Sequence, residues 1–581
     1  MKRGLQAVTA LFFVIVCLDC PNPLRRSFNN PVDPDSDTYI GYPSEDNDGD
    51  GIPQYEDVDE IVLLSPPNGA TIKKMPLMLI TSIFDPAKVK KYWIQIATSN
   101  NDFDGSTIFS EDDYVVNNCV LPPGFVEENN TYYWRAKAFD GSKWSQNWSK
   151  IRSFIVDIEW SVSMGGIASD GGDGRGVQLQ NGGFAAIGTT FSFGAGSSDF
   201  MLACLRADGS LEWCKCYGGT GYDLPTAMRA TNDGSLIICG NTNSFGTGAS
   251  DFWILKLNSD GSVCWEKAYG GGTEDELTDI CQTNDGGYIV VGTARSIGSA
   301  KSDIIILRLA SNGTVQWTRA VHDADITLAH SVKETSDGGF VVAGTKYGFN
   351  SIYGDWYILR LSSDGSIVWQ KTYSGPYYDF AASVAQTNDK GYLVVGTMQI
   401  DFGNDDIVLL RLDENGAVNW GKRFIGSDDE GLVYNYSVGA DTLCVLNDES
   451  ALVVGITDSF GAGESDGLAL RLAANGDVIW SRTYGGELSD AFHSAISTSD
   501  GEFLITGHTR SFGEKDLDLW VLRINSDGTC GNLGIIQTLE IQNYITSVTD
   551  RNLASNECGF SVTDTSCYVN AAPVTTFWQV P

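Results

Sequence analysis

Three sets of residues have the types and spacing to do chemistry. The first is Asp46-Asn47-Asp48-Gly49-Asp50-Gly51-Ile52 with Asp57. It puts carboxylates at positions 1, 3, 5 and 12 of a loop, glycine at 6 for the sharp turn and the Ile52 carbonyl at 7. That is an oxygen cage for a hard cation, so calcium is the expected cofactor, with Asp46, Asp48, Asp50, Ile52 and Asp57 as ligands. The competing reading is a solvated acidic linker. The second set, Asp223, Asp275, Asp379 and Asp490, recurs just before one strand of a repeated unit. It is expected either to form an acidic rim for a cation or sugar or to bond its own turns. The third is the loop "GSDDEGLVYNYSVGADT", where Asp428, Asp429, Glu430, Tyr434 and Tyr436 lengthen one unit and could line a ligand face.

Other polar residues repeat too faithfully for a single catalytic centre. Asp199, Asp251, Asp303, Asp355, Asp406, Asp466 and Asp518 hold one place in seven units. Five residues on stands Lys256, Arg308, Arg360, Arg411, Arg471 or Arg523, with Cys204 in the first unit. Turn caps and ion pairs between strands or blades are the expectation. His330 and His493 fall at equivalent places of distant units, too far apart to share a metal. No nucleophile elbow, P-loop or zinc-protease motif occurs, and no catalytic residue is assigned.

These residues need a scaffold. The chain has 581 residues, 65 of them glycine, with 38 basic and 74 acidic side chains and a net charge of −36. Such a surface repels phosphate backbones and anionic lipid, which argues against nucleic-acid partners. Lys2 and Arg3 precede an apolar run from Ala7 to Leu18, short for a membrane span and right for a secretion signal. Cys17 and Cys20 make a lipid anchor the alternative to free secretion. The expected location is therefore outside the cell or attached to its surface, with no transmembrane helix. The repeat cysteines, Cys204, Cys214, Cys216, Cys239, Cys264, Cys281 and Cys444, mostly stand where other units have Val, Ile or Ala, which reads them as small buried apolar residues. Cys558 and Cys567 are a candidate disulfide.

Tryptophan recurs at 160, 213, 265, 317, 369, 420 and 480, at intervals of 51 to 60 residues, with four short strand signals per interval. That period with four strands predicts a propeller. Asp-Gly or Asn-Gly precedes each tryptophan from Trp213 onwards and predicts a type I′ hairpin turn. Each tryptophan is expected to pack between neighbouring sheets. Seven hairpins are countable, and "DIEWSVSMGG" supplies a strand without a partner before it. Ring closure by this N-terminal strand gives seven blades and, on this reading, no open sheet edge. The division is 1–20 signal, 21–60 acidic linker, 61–157 β-sandwich, 158–530 seven-bladed propeller and 531–581 a Thr/Ser/Asn-rich tail whose structure the sequence leaves open. The fold class is all-β.

The motifs resemble known families. The acidic loop resembles a single thrombospondin type 3 calcium loop. Tyr133, Trp134, Arg135, Ala138, Trp144, Ser145, Ser153 and Phe154 resemble the end of a fibronectin type III domain, which implies a spacer or binding module. The repeats are similar to bacterial secreted seven-bladed propellers and more loosely to quinoproteins, while "SSDGSIVW" resembles the Asp box of sialidases in its hairpin only. Together these imply a non-catalytic extracellular or cell-surface binding or scaffold protein whose partner is a protein or glycan. The alternative is a secreted propeller enzyme acting on extracellular glycans.

Overall fold

A computed structural model describes most of residues 61–156 and 160–530, and beyond them the strand segments between 534 and 579. The first unit has two sheets. Ile61–Ser65, Met78–Ile83 and Asn118–Val120 form one; Ala70–Ile72, Arg152–Val156, Thr131–Phe139, Lys91–Ala97 and Thr107–Tyr114, in that order, form the other. Alternation decides which side chains are inside. Tyr132, Trp134, Ala136 and Ala138 share a core with Tyr92, Ile94, Ile96 and, from the smaller sheet, Leu63. On the opposite face the Arg135 guanidinium lies 4.1 Å from the Phe103 ring and 4.2 Å from the Trp148 ring.

The second unit is a ring of seven antiparallel blades. In blade 1 the strands run, inside to outside, Asp170–Gln178, Phe184–Thr190, Asp199–Leu205 and Leu211–Gly218. Blade 7 takes three strands from Asp490–Ser497, Phe503–Thr509 and Asp518–Ile524 and a fourth, Trp160–Gly165, from the start of the ring. The closing strand is therefore the predicted one. Core clusters form between blades: Ile187 and Leu202 of blade 1 pack with Ile238 and Trp253 of blade 2. Burial of each such side chain stabilises the ring by about 1.5–3 kcal/mol.

The tryptophans do sit between neighbours. Trp160 donates its indole N–H to Ala207 O at 2.9 Å, Trp265 to Ser311 O at 3.2 Å and Trp480 to Ser526 O at 2.9 Å, each reaching the next blade's turn. The turns themselves differ from the prediction. A type I′ turn needs positive φ at both central residues, and here only the glycine has it, as at Gly261 (φ 76°). Gly261 N–H donates to Asn258 O and Asn258 N–H to Ser262 O, which with the register shift at Lys256/Leu257 is a type I turn followed by a glycine bulge. Asp260 drives this choice by accepting from Ser262 N and Oγ. Glycine is needed twice over at Gly261, because a Cβ there would also lie 2.8 Å from the Trp213 ring.

Four-stranded blades leave seven outer edges, and the tail lies on them. Gly534–Ile536 pairs with blade 6, Glu540–Asn543 with blade 5, Ser547–Asp550 with blade 4 and Ser555–Asn556 with blade 3. Ser561–Asp564 pairs with blade 2, Tyr568–Ala571 with blade 1 and Thr576–Gln579 with the closing strand of blade 7. Every pairing is antiparallel. Closure by the N-terminal strand alone thus leaves edges open, contrary to the expectation; the tail is what covers them.

Candidate functional site

The innermost strands line the axis of the ring, and there the repeat breaks. Opposite Ala185, Ile237, Ile289, Val341, Leu393, Leu452 and Leu504 the register sets Val177, Arg229, Cys281, Lys333, Ala385, Cys444 and Ile496. Five of these are apolar or cysteine and two are cations. Two residues nearer the strand start stand Arg175, Ala227, Asp279, Ser331, Ser383 and Ser494, again with charge in only some blades. Asp441 joins them from blade 6, whose inner strand is broken by the longer loop into Glu430–Gly431 and Leu443–Val445.

These charges meet. Arg229 donates to Asp279 at 2.5 Å and to Asp441 at 2.6 Å. Lys333 lies 3.2 Å from Asp441 and 3.8 Å from Asp279. Asp279 also accepts from Ile280 N and Val332 N. Blades 2, 3, 4 and 6 are thereby tied across the axis. Burial disfavours the charge on Arg229, but Asp441 and Asp279 outweigh it and raise its pKa. Burial likewise opposes ionisation of Asp441, yet Arg229, Lys333 and Arg175 hold it below the ordinary carboxylate range. Asp279, fully buried, is pushed up by burial against the pull of Arg229 and Lys333. Beside the cluster is a cavity of ≈ 270 Å³ lined by Met228, Arg229, Lys333, Asp441, Cys444 and Ser497 among others. It offers a cation, a hydroxyl and apolar wall to a small polar ligand. Sequence reasoning missed Arg175, Arg229, Asp279, Lys333 and Asp441; their signal was charge at inner-strand positions that are Ala, Ser or aliphatic in other units.

The predicted residues fall elsewhere. The calcium-loop residues Asp46, Asp48, Asp50, Ile52 and Asp57 lie outside the described residues, as do the signal, His322, Cys558 and Cys567. Asp223, Asp275, Asp379 and Asp490 have no exposed surface and so make no ligand-facing rim. They bond turns: Asp490 accepts from Gly486 N, Thr509 Oγ1 and Ser511 Oγ, and Asp223 from Gly219 N, Thr242 Oγ1 and Ser244 Oγ. Asp275 accepts from Gly271 N and Asp379 from Gly375 N. Glu430 belongs with them. It sits opposite Thr457 as Asp223 sits opposite Thr242, accepts from Gly426 N and Thr457 Oγ1, and is buried. Of its loop, Asp428 is exposed, Asp429 accepts from Asp405 N at 2.9 Å, the Tyr434 backbone pairs with Ser437, and Tyr436 is outside the described residues.

The other aspartate series caps loops in blades 1, 2 and 6, while in blade 5 Asp406 accepts from Arg423 Nε at 2.8 Å. Asp199 Oδ2 accepts from Ala195 N and Gly196 N, Asp251 from Thr247 N and Gly248 N, Asp466 from Ala462 N and Gly463 N. Each lies against the first-strand aspartate of the next blade. Burial, with Asp223, Asp275 or Asp490 beside it, raises the pKa of Asp199, Asp251 and Asp466. Burial alone dominates at Asp379, pushed up to about 8, and at Glu430, pushed up to about 7. The cations five residues on do not pair with these aspartates. Arg308 meets Asp285, Arg360 meets Asp337 and Arg411 meets Asp389, at 2.5, 2.5 and 2.7 Å, in the first turn of their own blade. His493 pairs with His508 of its own blade (2.8 Å) and His330 with Thr345 (3.0 Å). Burial lowers His330 to about 4 and His493 to about 3, so both are neutral packing groups near pH 7. Among the repeat cysteines Cys204, Cys214, Cys216 and Cys239 are buried, whereas Cys264 is exposed.

A family model described as "Domain of unknown function (DUF5122) beta-propeller" matches residues 186–212 and 231–264, in blades 1 and 2. No curated protein matches the chain. Among solved structures it is similar to a puromycin hydrolase (12% identity, TM-score 0.39), with 63% of this chain and 54% of that one covered. The chain thus spans about half the length of that protein. It is also similar to a putative exo-beta-1,3-galactanase from Bifidobacterium bifidum s17 (10% identity, TM-score 0.26, 48% and 94% covered). A third is a eukaryotic initiation factor (9%, TM-score 0.30, 68% and 98% covered). The protein is a β-propeller repeat protein, all-β, with no helix among the described residues long and apolar enough to cross a membrane.

Proposed function

We propose that this chain is a non-catalytic extracellular or cell-surface binding protein that presents its propeller to a protein or glycan. The observation that carries the reading is how the polar groups are used. The repeated acids Asp199, Asp251 and Asp466 cap turns, Asp406 pairs with Arg423, and the asymmetric axial cluster is closed on itself by Arg229, Asp279, Lys333 and Asp441. A glycoside hydrolase of the two-carboxyl kind would need one carboxyl kept protonated and another free to attack or to activate water. Asp441 is held ionised between two cations, which favours binding over glycoside cleavage.

The modular order supports an extracellular setting: a secretion signal or lipid anchor, a calcium-loop linker and a fibronectin-like spacer ahead of the ring. The test is an array of glycans and surface proteins probed with the purified chain, alongside a panel of chromogenic glycosides. Binding without turnover is expected. Turnover of any glycoside in that panel would overturn the binding-only reading in favour of the glycan-acting enzyme.

A further inference from the structure

We infer that the outer rim of the ring is a peptide-docking surface with seven equivalent acceptor edges, and that residues 534–579 are its resident, exchangeable ligand. The ring is topologically complete without this segment, since its last own strand is Asp518–Ile524 and Trp160–Gly165 has already closed it. The C-terminal segment then passes every blade once, in the order 6, 5, 4, 3, 2, 1, 7, against the direction in which the blades were laid down.

The acceptor stretch recurs from blade to blade, with four residues paired on blades 1, 2, 4, 5 and 7, three on blade 6 and two on blade 3. Lys215–Gly218, Lys267–Gly270, Lys371–Ser374 and Lys422–Ile425 are the same stretch of four outer strands, and each takes four consecutive tail residues. The register places Val569, Val562, Val548 and Ile541 opposite Tyr217, Tyr269, Tyr373 and Phe424. Two of the occupants are both "SVTD", whereas "YVNA" and "EIQN" share with them only the aliphatic second residue. Recognition that tolerates such changes is carried by main-chain N–H and C=O groups, the mode of strand addition to an open edge. The spacing is what the segments share: they begin at 534, 540, 547, 555, 561, 568 and 576, steps of six to eight residues.

Strands of two to four residues are individually marginal. Seven on one chain are not, because each docked strand holds the next at high effective concentration. An occupant of this surface must therefore be extended and must repeat at about seven residues. A lone short peptide fails both the length and the avidity requirement.

The test cuts the tail after folding. A protease site is placed at 531–533 in the full chain, the protein is folded, cleaved and separated by size, and isotope-labelled synthetic 531–581 is added in excess. The severed segment is expected to stay with the ring, and the labelled peptide to replace it over hours. A peptide with two residues deleted from each spacer should not enter. After the severed segment is stripped in mild urea, amides of the outer strands should exchange at least about tenfold faster while third strands stay unchanged. Loss of the segment on cleavage without faster outer-strand exchange would overturn the docking. Failure of the labelled peptide to enter would overturn exchangeability, and equal entry of the shortened peptide would overturn recognition by spacing.

Discussion

Replacing Asp441 by Leu should loosen blade 6 and, through it, the axis. Arg229 and Asp441 have side chains 18% and 13% exposed and meet at 2.6 Å. Removing one partner of a buried pair costs about 3–5 kcal/mol. Here Arg229 keeps Asp279 and some solvent, so about 2–3 kcal/mol is the expected loss. With an unfolding entropy of about 2.1 cal/mol/K per residue, the ring between residues 158 and 530 would melt about 3–4 °C lower. Lys333 loses its closer partner as well, which is why the effect should exceed that of an exposed pair. The assay is a double-mutant cycle on Tm and urea midpoint with Arg229→Met, Asp441→Leu and the pair. A coupling energy above about 1 kcal/mol is expected, with the double variant recovering part of the loss. Additive effects, or a single-variant loss under about 0.5 kcal/mol, would refute the claim that this pair ties blades 2 and 6.

The raised carboxyls at the blade junctions give a pH dependence of definite sign. A folded pKa above the unfolded value means the native state binds more protons, so stability falls as pH rises from about 4 through the folded values near 7 for Glu430 and 8 for Asp379. The urea midpoint should drop between pH 5.5 and 8.5, and Asp379→Asn should flatten that slope; an unchanged slope would count against the assignment. Gly218→Ala should cost more than about 3 kcal/mol, since a Cβ would sit 1.6 Å from Asp199 Oδ1, whereas Gly272→Ala, with nothing within 4 Å, should stay within about 0.5 kcal/mol by thermal melt. Calcium titration of the chain should show a site that Asp48→Ala removes, and unchanged affinity in that variant would dismiss the loop as a ligand cage.

The ring was legible because its signals are local and repeated. Asx-Gly before tryptophan, six intervals and one orphan strand define blades and closure. The turn type was not legible, because Asp-Gly suits both a type I′ turn and a glycine bulge and the difference is one φ. The axial cluster shows in the sequence only as single charged residues in strands that otherwise look alike; register across blades turns them into a site. Glu430 misled because a longer loop and one extra methylene hide its equivalence to Asp223. The tail was opaque for a different reason. Its strands are short and their partners lie about 50 to more than 400 residues earlier, so no local pattern marks them. The one visible trace was "SVTD", written at both 547 and 561.

The rim has a consequence for how such a chain can change. Propeller repeats are duplicated or lost as whole units of about fifty residues, and a ring alone could absorb such an event by reclosing. This chain also carries a ruler. Seven tail segments match seven blades, and the last of them, Thr576–Gln579, lies on the very strand, Trp160–Gly165, that shuts the ring. An eighth blade would leave one edge bare, and a lost blade would leave one segment without a seat. Copy number in the ring and length in the tail must therefore match for every edge to be covered.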